Sequence, residues 1–322
     1  MGSGTWSTNV YDAAQNYRAS TGASAFAYSD GGATSTHADL DPRGVTLRES
    51  RDSDDHPESL AIAVLFDVTG SMGTVPRTLQ TKLPDLLGLL LRKGYVEHPH
   101  IMFGAVGDAT CDRAPLQVGQ FEADNRMDDD LGKILLEGGG GGQMRESYEL
   151  AMYFMARHTA LDCFEKRGKR GYLFMIGDEL AYPKAKRREI AKVIGAAPDD
   201  DIPIEDLIRE LQRMYDVYFI IPKGGYHSRD PKLKEFWRDL LGQHVLYLDD
   251  PGAVCETIAL TIGLAEDAID LDEGLAHLDE VGSDAGASVS RALAPLDASR
   301  APVAVSAAPP DLGSAPSATT RL

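Results

Sequence analysis

The sequence is poor in several residue types whose presence would point to a function. It has three cysteines in 322 residues, Cys111, Cys163 and Cys255. No two stand at the spacing of a zinc site or a redox pair, and an odd count excludes a fully paired disulfide framework. Positive charge is scarce: 32 Lys and Arg against 50 Asp and Glu leave a formal net charge of -18. Nucleic acid and anionic lipid are recognised through basic surfaces, so neither is an expected partner. No apolar run approaches the ~18–20 residues of a membrane span. The opening Met1-Gly2-Ser3-Gly4-Thr5-Trp6 lacks the basic start and apolar stretch of a secretory signal. Trp6 also stands where an N-myristoylation pattern asks for Ser or Thr. The expected setting is reducing and cytoplasmic.

What is present divides into three zones. Residues 1–58 are rich in Ser, Thr, Ala, Gly and Asp, with nine acidic and four basic residues. Trp6, Tyr11, Tyr17, Phe26 and Tyr28 are more aromatics than a disordered tail carries, so a partly ordered arm is expected. Residues 266–322 hold ten acidic and three basic residues. They begin as a weakly helical acidic stretch and then dissolve into Ala, Ser and Pro. The last forty or so have too few large apolar side chains to fold alone, and a mostly disordered tail is expected.

The middle, 59–265, alternates apolar strand-like runs with helix-like stretches. That alternation predicts an α/β fold, doubly wound on a mostly parallel sheet with one short antiparallel edge strand. Strands are expected at LAIAVLF (60–66), HIMFGAV (100–106), GYLFMI (171–176), DVYFII (216–221) and HVLYL (244–248), with PLQVGQF (115–121) as a hairpin partner. Helices are expected at 75–93, 145–159, 184–194, 203–214, 230–241 and 251–265. Pro76 and Gly94 suit the ends of the first of these, and Pro84 lies inside it.

Open α/β sheets bind ligands at the carboxyl ends of their strands. The segments there are Asp67-Val68-Thr69-Gly70-Ser71, Gly107-Asp108-Ala109-Thr110-Cys111-Asp112, five glycines (138–142) with Gln143 and Glu146, and Gly177-Asp178-Glu179. Asp67, Thr69 and Ser71 alternate along one loop and can turn three oxygens toward one point. Asp178 can add a carboxylate from a neighbouring strand. An oxygen-only set suits a hard cation, Mg²⁺ or Mn²⁺. Each group also has a plain structural role available: helix capping for Asp67, Thr69, Ser71 and Asp178, and turn chemistry for Asp108 and Asp112.

Asp-x-Thr-x-Ser at the end of the first apolar strand resembles the metal-ion-dependent adhesion site of von Willebrand factor A domains, and the similarity covers about 59–265. The segments GDATCD (107–112), GGGGGQMRES (138–147) and GDELAYP (177–183) look most like A domains found beside alpha-type protein kinases, although the chain holds no such kinase. The resemblance implies that Asp67, Thr69, Ser71 and Asp178 hold the metal. The family's further Thr has no match, and Glu146 or Gln143 stands in its place. Asp108, Asp112 and Glu179 are candidates for holding the metal's waters. A ligating Glu146 would surround the ion with three carboxylates, giving tighter binding but a weaker Lewis acid. Gln143 or water there would leave the ion electrophilic toward a partner's Asp or Glu.

The resemblance therefore implies a non-enzymatic protein-recognition module in an intracellular adaptor or assembly factor, with an ATPase among the candidate partners. Two alternatives compete: a scaffold whose arms make the contacts, and a metal-dependent hydrolase. Against the hydrolase, Thr69 stands where a haloacid-dehalogenase-like phosphatase has its second Asp. The glycine run lacks the Gly-Lys-Ser/Thr of a phosphate loop. The basic residues Lys184, Lys186, Arg187, Arg188 and Lys192, with Lys166, Arg167, Lys169 and Arg170, are expected to form a solvated face.

Overall fold

Eight consecutive residues, Leu60–Asp67, form a strand with every side chain buried. A run apolar on both faces belongs in the middle of a sheet covered on both sides. In the computed structural model this strand, β1, lies between two parallel neighbours, β2 (Pro99–Val106) and β4 (Gly171–Ile176). The structure describes residues 4–72, 74–138 and 144–300, without the side chains of 71, 79, 80, 84, 299 and 300. β3 is Leu116–Val118, β5 is Tyr215–Pro222 and β6 is Val245–Leu248. Their order across the sheet is β6-β5-β4-β1-β2-β3. Only the edge strand β3 is antiparallel, against β2. The expected doubly wound α/β architecture, antiparallel edge strand included, is the one observed.

This order places the candidate site. From β1 the chain winds outward through β2 to β3, then returns to β4 on the other side of β1 and winds away to β6. The reversal between β1 and β4 opens a crevice at their carboxyl ends. Asp67 closes β1 and Asp178 follows β4 by two residues, so the topology alone brings both to one crevice.

Several expected helices are shorter in the structure; 184–194, for example, is helical only over Arg187–Val193, because Lys184 and Ala185 pair with Pro203 and Ile202. The segment 75–93 is α-helical from Val75 to Leu87 and closes in a π-helical turn, Gly88–Arg92. The segment 145–159 becomes helical only at Tyr148, because Arg145 and Glu146 pair in parallel with Leu180 and Ala181. That two-residue ladder costs the helix its first turn and sets Glu146 beside the Gly177–Glu179 loop.

The N-terminal arm docks on the domain. Its helix, Thr8–Thr21, is capped by Ser7 and stopped by Gly22 in the left-handed region. Ser7 and Asn125 exchange two hydrogen bonds: the Ser7 amide donates to Asn125 Oδ1 at 2.9 Å, and Asn125 Nδ2 donates to the Ser7 carbonyl at 3.0 Å. Tyr11 and Phe26 are buried.

The C-terminal segment departs from expectation in its second half. Helix Leu271–Glu280 lies in the stretch expected to be weakly helical, but helix Gly286–Arg300 stands where disorder is expected. Val289, Ala292, Leu293 and Leu296 are buried, the second helix lying against β6 and the helix Val254–Ala265. The apolar content is too small to fold alone, but it suffices when the rest of the domain supplies the other wall. Residues 301–322 lie outside the described residues. Among those described, no helix is long and apolar enough to cross a membrane.

The basic residues around 166–192 are divided among local carboxylates. Arg167 pairs with Asp52 at 2.8 Å, Arg170 with Asp216 at 2.8 Å, Lys184 with Asp201 at 2.7 Å and Lys186 with Glu189 at 2.9 Å.

Leu293→Ala tests the docking of the last helix. A fully buried leucine is expected to cost about 2–5 kcal/mol when truncated, seen as a lower urea midpoint. An unchanged midpoint would mean that the helix contributes nothing to the fold.

Candidate functional site

Asp67 is fully buried. A buried carboxylate needs donors to hold its charge, and three are supplied. The Thr69 amide and hydroxyl both donate to Oδ1, at 2.7 and 2.6 Å. The Tyr148 hydroxyl donates to Oδ2 at 3.2 Å. The first two bonds make a local Asx turn, a side chain satisfying the backbone two residues ahead. Burial still wins: with the Asp178 charge nearby, it pushes the Asp67 carboxyl up to about 7.

Tyr148 reaches Asp67 because residue 177 has no side chain. A Cβ on Gly177 would lie 1.8 Å from the Tyr148 hydroxyl. The ring is set by edge-on contacts with Phe219 and Trp237, whose own rings stack at 3.6 Å. The Trp237 indole N–H donates to the Glu179 carbonyl at 3.0 Å. These three aromatics form a floor under the crevice and hold Asp67 at one end and the Asp178–Glu179 turn at the other.

Asp178 is fully buried, and its Oδ2 accepts from the His227 amide at 3.0 Å. A Cβ on Gly225 would lie 2.5 Å from that same oxygen, so the loop after β5 closes over Asp178 as only glycine permits. Glu146, held by the short ladder, and Glu179 lie close enough for each carboxyl to act on the other. Both are nearly inaccessible, and each retains an Oε2 with no hydrogen-bond partner. Burial and the surrounding carboxylates push both carboxyls well above the usual range. His227 Nε2 lies 3.8 Å from Glu179 Oε1.

Thus Asp67, Thr69, Glu146, Asp178 and Glu179 gather at one edge. Gln143 and the Ser71 side chain lie outside the described residues. Asp108 repeats the Asp67 pattern at the end of β2, its carboxylate accepting from the Thr110 amide and hydroxyl, each at 2.8 Å. Asp112 Oδ2 accepts from the Asp108 amide at 2.7 Å. Turn chemistry accounts for both, although both add negative potential at Glu146. Burial and the adjacent Asp112 and Asp108 push the Cys111 thiol up to about 12, so it is no thiolate nucleophile at neutral pH.

Tyr148, the aromatic floor and Glu149 are not found by reading strand ends. Glu149 is fully buried, and its Oε2 accepts from the Tyr182 amide at 3.2 Å. Its carboxyl is raised well above the usual range by burial. The one available signal was two polar residues opening an otherwise apolar helix.

The donor chemistry fits a hard divalent cation, with buried carboxylate oxygens lacking partners beside a serviceable hydroxyl. Among the described residues no three His, Cys, Asp or Glu side chains converge to hold an ion.

No protein-family model and no curated protein matches the chain. Among solved structures, the pilus adhesin SpaC from Lactobacillus rhamnosus GG, in an open conformation, is 8% identical with a TM-score of 0.45, covering 67% of this chain and 31% of the adhesin. Proximal thread matrix protein 1 from the mussel byssus is 12% identical with a TM-score of 0.41, covering 64% of this chain and 48% of that one. The chain spans less than half the length of either.

Two outcomes follow from the site's geometry. Gly177→Ala is expected to destabilise the protein by about 1–3 kcal/mol through overpacking, and Tyr148→Phe in the same chain should recover part of that loss in urea unfolding. The pH dependence has a defined sign. The Asp67 carboxyl binds its proton more tightly folded (about 7) than at its ordinary value of 3.8. Folding therefore takes up a proton, and stability in chelator falls as pH rises from about 4 through 7. The raised Glu146–Glu179 pair extends the fall above 7. Glu146→Gln should flatten this slope; an unchanged slope would place the titration elsewhere.

Proposed function

We propose that this chain is a von Willebrand factor A-like recognition domain with a variant metal site. In this reading it binds Mg²⁺ or Mn²⁺ at the crevice between β1 and β4 and uses that site to hold a carboxylate of a protein partner. The observation that carries the reading is the pair of buried, unpartnered carboxylate oxygens, Glu146 Oε2 and Glu179 Oε2, beside Asp67 and Asp178. Buried carboxylates this close are stable only with protons or a cation among them. At neutral pH the cation has the advantage of needing none of the raised proton affinities.

Asp67, Thr69, Asp178 and Glu146 would hold the ion, and Glu179 would take a water or share the charge. When bound, the ion supplies an electrophilic position for an incoming acidic side chain. Tyr148 fixes the Asp67 carboxylate plane, and Gly225 with the His227 amide fixes Asp178. Asp67 is already engaged by three donors, and Glu149 and Tyr148 are buried in the core. An intracellular adaptor or assembly factor, working with a protein such as an ATPase, is the setting we assign.

Thermal unfolding of the wild type, Asp67→Ala and Glu146→Gln, each with Mg²⁺, Mn²⁺ and chelator at pH 8, tests this. A native-state ligand stabilises by RT ln(1 + [L]/Kd), about 2.7 kcal/mol at a hundredfold excess over Kd. The wild type should gain stability with metal, Asp67→Ala should gain none, and Glu146→Gln should gain less. No metal-dependent gain in the wild type would return the cluster to protons and turn chemistry.

A further inference from the structure

A second feature stands at the same end of the sheet and has the opposite charge. Beyond the ends of β5 and β6 lies a cavity of about 180 Å³ lined in part by Lys223, Ser228, Arg229, Lys234, Tyr247 and Asp249. In a chain of net charge -18, three cations share this small space with one carboxylate. That carboxylate is itself divided: Asp249 lies 3.7 Å from Lys223 and 2.7 Å from Arg291. Arg229 and Lys234 have no carboxylate at ion-pair distance among the described residues.

One of these cations stands over an aromatic ring. Lys234 Nζ stands 4.8 Å from the centroid of the Tyr247 ring, and the Arg238 guanidinium is 5.7 Å from it. The one carboxylate of the cavity, Asp249, is engaged by Lys223 and Arg291, so Arg229 and Lys234 are left to an anion from outside.

Size and stoichiometry narrow the ligand. Sites for drug-sized molecules run to roughly 300–1,000 Å³, so the cavity does not hold a nucleoside. A phosphate presents three acceptor oxygens and nearly two charges at neutral pH. A carboxylate, with two oxygens and one charge, would leave part of this donor set unmatched. We propose that the pocket binds a phosphate group, through Arg229, Lys234 and Lys223. The site works independently of any cation at the Asp67 edge. Tyr226, 85% exposed on the same loop, offers an apolar contact to a peptide that carries the phosphate.

The test is calorimetric titration of the full chain with inorganic phosphate at pH 7.5, against sodium chloride at matched ionic strength. Saturable phosphate binding is expected, weakened tenfold or more by Lys234→Gln and by Arg229→Gln. Asp67→Ala should leave it unchanged, which separates this site from the metal reading. A phosphoserine peptide binding more tightly than inorganic phosphate would assign the phosphate to a partner protein; equal affinity would assign it to the free anion. Phosphate heats no larger than those of chloride, or affinity unchanged in both Lys234→Gln and Arg229→Gln, would overturn the proposal.

Discussion

A carboxylate at the end of a fully buried strand is the constraint around which this domain is arranged. Asp67 cannot be moved toward water without breaking β1, and it cannot keep its charge in a low-dielectric crevice without donors. The neighbouring segments supply them. Thr69 turns back on it, Tyr148 reaches it from another helix, and Gly177 gives up its side chain so that Tyr148 can pass. Phe219 and Trp237 hold Tyr148 from beneath. The core and the site are therefore one packing problem. The residues that stabilise the sheet are the ones that position the oxygens.

Much of this was legible in the sequence because it is local. A continuous apolar run marks a central strand, and Asp-x-Thr directly after it marks a turn whose carboxylate faces the crevice. Asp67, Thr69 and Asp178 were reachable on those grounds. Glu146 was reachable as a residue but not as a geometry, since its place depends on a two-residue ladder with Leu180 and Ala181 that no period encodes. The helix Gly286–Arg300 was missed for a related reason. Its apolar side chains are few, and only the wall supplied by β6 and its neighbouring helix makes them enough. Tyr148 and Glu149 were hidden inside a helix whose apolar character reads simply as core.

Charge is segregated along one edge of the sheet. Carboxylates crowd the crevice between β1 and β4, while lysine and arginine gather beyond β5 and β6. The segment that follows β5 touches both. Gly225 closes over Asp178, and Ser228 and Arg229, a few residues on, line the basic cavity. A domain of strongly negative net charge thus presents opposite charges at two points of one sheet edge.

The aromatic floor has one more consequence. Trp237 is one of only two tryptophans in the sequence, the other being Trp6 in the N-terminal arm. Its indole is fully buried, stacked on Phe219 and hydrogen-bonded to the backbone of Glu179. The molecule thereby carries a native chromophore directly beneath its carboxylate crevice. A change in charge or packing above it alters the field on the indole, so replacing Trp6 alone would leave a single-tryptophan protein whose emission reports on the crevice without any attached label.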